Sequence, residues 1–295
     1  MMKKILEPFD PTPVLTSTDK VLMGPEKIDL VEQLNAAGEF LELSSEQRLA
    51  ILLKLQHAKS KVSVVAKELG ATMPEVFRNF ERLAKADIIS KDADGYYSLT
   101  TYGKTICSQI PSLLFVSSNK KYFKTHDFGD IPQKFIQRIG ALSPGQHYKG
   151  FTRVLEQWKH ICENSEKYIY DILSEEPADL MEPIISKAKS GIKINSIFSE
   201  SAVIPKDRQK MIEKLGVKKL VSDGIIERRI RQVSVVVVLN EKEACVIFPG
   251  IDGETDMSET FYSTDPMFHE WCLDYFRYCW GSAETFSESK LLKSA

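Results

Sequence analysis

Residues 44 to 104 hold three short apolar runs at helical spacing, followed by an Asp-Gly bend between two short extended runs. Ser44 with Gln47 three residues on reads as a capping box ahead of the first run, at 48–55. The second run, 64–69, closes on Gly70, the usual residue after a helix C-terminus. The third opens on Thr72-Met73-Pro74-Glu75, again a capping box, with Pro in the first turn where a missing N–H costs nothing. Residues 88–91, the bend Asp92-Ala93-Asp94-Gly95 and residues 96–99 then read as a hairpin. Three helices and a hairpin in this order predict a winged helix-turn-helix.

The third run separates into two faces. Val76, Phe77, Phe80, Leu83 and Ala84 fall on one side at helical spacing, and Glu75, Arg78, Asn79 and Arg82 on the other. A recognition helix needs this division. Its apolar side packs on the preceding helices and its outer side enters a major groove, where Arg bonds guanine and Asn bonds adenine bidentately. The competing reading is a merely solvated helix face; the helix-turn before it and the wing after it favour double-stranded DNA.

Charge is distributed in the same sense. Residues 44–104 carry ten Lys/Arg against seven Asp/Glu, whereas residues 249–295 carry three against nine. A module with so small a positive excess gains from acting in two copies, so a homodimer is expected. The chain's 295 residues suffice for two domains, and 43% apolar with 27% charged residues is ordinary for a soluble globular protein. Cys107, Cys162, Cys245, Cys272 and Cys279 are odd in number and irregular in spacing, which reads as reduced, buried thiols with no metal site. No secretory signal is read at Met1-Met2-Lys3-Lys4, and no apolar run approaches the ~20 residues of a membrane span. The expectation is a cytoplasmic protein without a cofactor.

Along the chain, residues 1–24 read as a flexible tail and 25–116 as the DNA-binding domain with flanking helices, the last bent or restarted at Pro111. Residues 117–150 read as a linker, and 151–295 as an α/β domain for sensing or dimerisation. In that domain strands are expected at 168–173, 192–198 and 217–221. Helices are expected at 151–163, 177–190, after Pro205 and at 266–280, and a hairpin joins 229–239 to 243–248. Strands alternating with helices predict a mixed sheet. In the closing helix Phe268, Trp271, Cys272, Tyr275 and Phe276 point inward, leaving Tyr278 or Trp280 for a second subunit.

The run His126-Asp127-Phe128-Gly129-Asp130-Ile131-Pro132, then Phe135 to Gly140, and the closing Phe268 to Trp280 carry a resemblance, joined by Asp256 and Asp265. In these segments the chain resembles the archaeal methanogenesis and filament-formation regulator family, over most of residues 45–282. The resemblance implies a dimeric transcription regulator whose second domain is similar to a phospholipase-D-like α/β fold. Matching the winged-helix pattern places base reading on Thr72, Arg78, Asn79 and Arg82, and backbone contact on Lys91. Asp87 stands where many winged helices have Gly; Asp tolerates left-handed geometry, so the turn is expected to survive.

The rival reading is an α/β ligand-binding or phosphodiesterase-like protein whose winged helix makes protein contacts. Phosphodiesterases of that fold use H-x-K-x-x-x-x-D. Here His147-Tyr148-Lys149 meets Val154 at the Asp position, and His57-Ala58-Lys59 meets Val64. With no other catalytic constellation in view, the chain is not expected to be an enzyme. Arg228, Arg229 and Arg231 could hold a small anionic effector, or form a charged strand end balanced by Glu227 and Asp223.

Overall fold

The computed structural model describes residues 37–291. The tail expected at 1–24 and the run at 25–36 lie outside the described residues. Two compact units meet at the boundary between Ser108 and Gln109.

The first unit contains α1 (Ala37–Leu43), α2 (Glu46–His57), α3 (Val62–Leu69), α4 (Met73–Lys85) and a hairpin of β1 (Ile89–Lys91) with β2 (Tyr97–Leu99). The cap of α2 is Ser45 rather than Ser44. Ser45 Oγ accepts from the Arg48 N–H at 3.4 Å, while Ser44 Oγ turns back to the Leu41 carbonyl at 2.7 Å, where α1 is ending. The capping box of α4 is present: the Glu75 carboxylate accepts from the Thr72 N–H at 3.2 Å and the Thr72 hydroxyl at 2.8 Å. Ile51, Leu52, Val65, Val76, Phe80 and Leu83 are fully buried and make a small core. The Phe80 ring meets Tyr97 edge-on at 4.7 Å, tying α4 to the hairpin. Phe77 departs from expectation at 46% exposed, because it sits about 100° around the helix from Val76, at the edge of the apolar face. Asp87 adopts φ +56°, and the Asp87 and Ile88 N–H groups reach the Ala84 and Leu83 carbonyls at 3.1 Å. This is a Schellman closure with Asp in the place usually held by Gly.

Helix α5 (Thr101–Ser118) carries the chain into the second unit and is continuous through Pro111. There an eight-stranded mixed sheet is built from β3 (Gln146–Lys149), β4 (Tyr168–Glu175), β5 (Lys193–Val203), β6 (Ile226–Ile230), β7 (Val236–Leu239), β8 (Ala244–Ile247), β9 (Glu259–Ser263) and β10 (Glu284–Thr285). Its order is β10-β6-β5-β4-β7-β8-β9-β3. Only β4, β5 and β6 pair in parallel. The strand expected at 229–239 is therefore two. Residues 231–235 cross from one side of the β5–β4 pair to the other, so β6 and β7 are not neighbours. Residues 217–222 form a helix rather than a strand: after Gly216 at φ +74° the chain turns back into helix and buries Val217 and Leu220 three apart.

One sheet face is covered by α6 (Pro266–Ser282), whose Phe268, Trp271, Cys272, Tyr275 and Phe276 are buried as expected. The segment expected to be a linker packs into this same core. Tyr122, Ile131, Phe135, Ile139 and Leu142 are buried in it, the Trp271 indole donates to the Phe135 carbonyl at 3.1 Å, and residues 146–149 supply an edge strand. Short 3₁₀ turns leave those apolar residues without a helical or strand period, which is why they read as a connection.

The opposite face lies under α7 (Phe151–Asn164), α8 (Ala178–Lys189), α9 (Arg208–Leu215) and α10 (Val217–Ser222). A single polar row interrupts its parallel floor: Asp171 is in register with Ser196, and Ser196 with Arg228. The rows on either side are apolar, Ile169–Ile194–Ile226 and Leu173–Phe198–Ile230. Burial pushes the Asp171 carboxyl up to about 7, against the lowering effect of the Ser196 hydroxyl. The native state thus holds a proton that the unfolded chain releases near pH 4, so this group costs stability as pH rises from about 4 to 7. Asp171→Asn should therefore raise the melting temperature relative to wild type at pH 8 and lose that advantage near pH 4. Melting-temperature curves for the two proteins that run parallel across this range would show that Asp171 titrates normally.

Candidate functional site

Helix α4 turns its outer face to solvent, and the five residues expected to contact DNA divide into two groups. Arg78 is exposed and makes no hydrogen bond or ion pair with any described residue. Lys91 is exposed on β1, its ammonium 5.6 Å from the Tyr97 ring centre and in no ion pair among the described residues. The other three are engaged within the unit. The Thr72 hydroxyl is held by Glu75, and this bond, with a smaller effect from Arg78, keeps the Glu75 carboxyl below its usual range. Asn79 is half-buried, its amide donating to Gln47 Oε1 on α2 and to the Glu75 carbonyl at 3.2 Å. Arg82 donates from Nε to both Glu42 oxygens at 2.9 and 2.8 Å, and Glu42 also meets Arg48 at 3.1 Å. Glu42 thus clamps two arginines and joins α1 to α4.

Three lysines, Lys59, Lys61 and Lys85, were not singled out in the sequence. Lys85 is exposed seven residues beyond Arg78, hence on the same stripe of α4, and that spacing was the available signal. Lys59 and Lys61 lie over the Tyr96 ring at 4.8 and 4.6 Å, beside the hairpin bend, with Lys59 also paired to Asp92 at 3.0 Å. No sequence period marks that pair.

The three arginines near β6 do not converge. Arg229 donates to the Trp280 carbonyl at 2.7 Å and lies over the Trp280 ring at 4.3 Å. Arg231 donates to Ser282 Oγ at 2.5 Å and approaches the Cys279 carbonyl at 3.5 Å and the Tyr278 ring at 5.2 Å. Both serve the C-terminal turn of α6, where unsatisfied carbonyls and the negative helix end attract cations. They also occupy the rings expected to face a second subunit. Arg228 points to the other sheet face, over the Phe286 ring at 4.3 Å. A shared anion site on these three residues is thus not formed.

The pair His147 and Lys149 finds in space the acid it lacks in sequence. Across the β3–β9 ladder, Glu259 approaches His147 Nε2 at 2.6 Å and Lys149 Nζ at 2.9 Å. Burial lowers the His147 pKa, with Glu259 opposing. Close by, His126 stacks on Tyr122 at 3.8 Å and meets Asp256 at 3.1 Å, joining two of the segments that carry the family resemblance. All five cysteines are buried and free, and burial raises the thiol pKa throughout, to about 11 at Cys279. Among the described residues no helix is long and apolar enough to cross a membrane.

No family model and no curated protein matches the chain. Among solved structures, TrmBL2, described as an archaeal chromatin protein with a novel mode of DNA binding, is 12% identical over 85% of this chain and 98% of its own, with a TM-score of 0.38. NucT from Helicobacter pylori is 13% identical over 48% of this chain and 98% of its own, also at 0.38. RosA, a riboflavin-derivative dimethyltransferase from Streptomyces davawensis, is 11% identical over 71% of this chain and 68% of its own, at 0.26. The expectation that the chain is not an enzyme is withdrawn, since RosA and several other neighbours are described as methyltransferases, and at TM-scores of 0.24–0.27 they assign this chain no reaction. Similarity at this level bears on neither reaction nor partner.

The contacts of Arg229 generate a prediction. Arg229→Ala should lower stability by about 2 kcal/mol, the worth of a charged hydrogen bond on a helix end, without changing any response to added phosphate. Urea titration with and without phosphate measures both. A variant that loses only a phosphate-dependent stabilisation would restore the anion-site reading.

Proposed function

We propose that the first unit is a winged helix-turn-helix and that the protein is a sequence-specific DNA-binding transcription regulator. The observation that carries this reading is Arg78, exposed and unpaired among the described residues, at the centre of a helix whose opposite face is fully buried at Val76, Phe80 and Leu83. A guanidinium so presented is free to bond a guanine edge in the major groove. Lys85 extends the same stripe, and Lys91 with Lys61 on the hairpin side adds charge where a wing meets phosphate. Thr72, Asn79 and Arg82 support α4 from its flanks, and their base-reading role is secondary to that of Arg78.

The regulator acts as a homodimer on two half-sites about one helical turn apart. Exposed apolar side chains on α1 (Phe40 at 61%, Leu41 at 56%) and on α5 (Leu113 at 59%, Leu114 at 55%) support this reading, as surface that a second copy would cover. The second unit, in the phospholipase-D-like manner of the archaeal regulators the sequence resembles, serves sensing or dimerisation.

Arg78→Ala should weaken specific binding by about 1–3 kcal/mol and relax preference at one operator position, as read by selection from a randomised DNA library. Identical selected motifs for wild type and variant would remove Arg78 from base reading. Lys91→Ala should weaken binding to all sequences alike and reduce the slope of log K against log salt by about one. An unchanged slope would place Lys91 off the DNA.

A further inference from the structure

Beneath α7, α8, α9 and α10, the polar row of the parallel floor opens into a cavity of about 70 Å³. Its walls are almost wholly apolar, drawn from residues such as Leu180, Ile185, Ile212 and Val238, with Trp158 at one side. The carboxyls of Asp171 and Glu176 and the guanidiniums of Arg208 and Arg228 line it. Arg208, 2% exposed, pairs with both Glu176 and Glu288, and Arg228 lies 3.9 Å from Glu288. Asp171, also 2% exposed, has no cationic partner among the described residues. Among the described residues its Oδ1 has no hydrogen-bond partner, although Ser196 supports the carboxyl from the next strand.

A buried carboxylate in an apolar wall is costly unless a donor or a cation meets it. Both guanidiniums are engaged by Glu176 and Glu288, so Asp171 is left without a cation. We infer that this cavity is a binding site for a small primary ammonium with a short aliphatic chain, whose nitrogen meets Asp171 Oδ1 and whose carbons lie against the apolar wall. The cavity exceeds what one water needs and stays far below the size of a drug-like pocket, which limits the ligand to a few non-hydrogen atoms. The raised pKa of Asp171 agrees with this, a proton standing in where the ammonium would bind. The inference is independent of DNA binding, and its test contains no DNA.

The probe is n-propylammonium, titrated into the full chain at constant ionic strength and followed by the indole N–H resonance of Trp158. That resonance is assigned by its loss in Trp158→Phe. Binding in about the millimolar range is expected, as suits so small a ligand, with the Trp158 signal moving and those of Trp271 and Trp280 unmoved. Asp171→Asn removes the charge at nearly constant shape and should weaken binding about tenfold or more while the protein stays folded. Equal binding by the Asn variant would overturn the inference. So would an equal response to n-propanol, which marks a neutral site, or to potassium chloride alone. No shift of the Trp158 signal up to tens of millimolar would leave the cavity to water and also overturn it.

Discussion

Burial of Val76, Phe80 and Leu83 decides what the first unit can offer to a partner. With those three inward, the helical period sends Arg78 and Lys85 outward, whatever else surrounds them. The Phe80–Tyr97 ring contact then ties the helix to the hairpin, so the outer stripe and Lys91 belong to one rigid piece. Glu42 completes the arrangement by holding Arg48 and Arg82 at once. Arg82 stays exposed but its charge is engaged by Glu42, and Asn79 is tied to Gln47. What remains unpaired is a short cationic stripe, and affinity from so few charges is the physical reason a second copy is part of the proposal.

The second unit depends on a different constraint. Its floor is a parallel sheet covered on both faces, where polar side chains are expensive. Asp171, Ser196 and Arg228 nevertheless lie in one row between two apolar rows. Arg229 and Arg231 spend their charge on the end of α6, so the alternation along β6 divides three neighbouring arginines between two unrelated tasks. The other face shows the same economy of reach: Glu259 serves both His147 and Lys149 across one ladder.

Much of the element order was legible because period and punctuation agreed. The third helix, with its capping box and its Val76–Phe80–Leu83 spacing, could be placed almost to the residue, and the mixed sheet followed from alternating strands and helices. Errors arose where local pattern competed with geometry. Phe77 lies at the edge of a face and falls outside it, and Ser44 lost the cap to its neighbour because α1 ends there. The segment 217–222 has strand composition, but Gly216 returns the chain to helix. Long-range partners were not legible at all. No spacing reveals that Arg229 meets Trp280, that Glu259 meets His147, or that Asp171 stands beside Ser196 and Arg228 in the sheet.

The central claim is that this chain reads DNA sequence, and genome-wide occupancy of the intact protein in its own cells tests it most directly. The account predicts sharp peaks sharing a palindromic motif, with half-sites about one helical turn apart. Occupancy no different from an untagged control, or spread evenly without a shared motif, would contradict it.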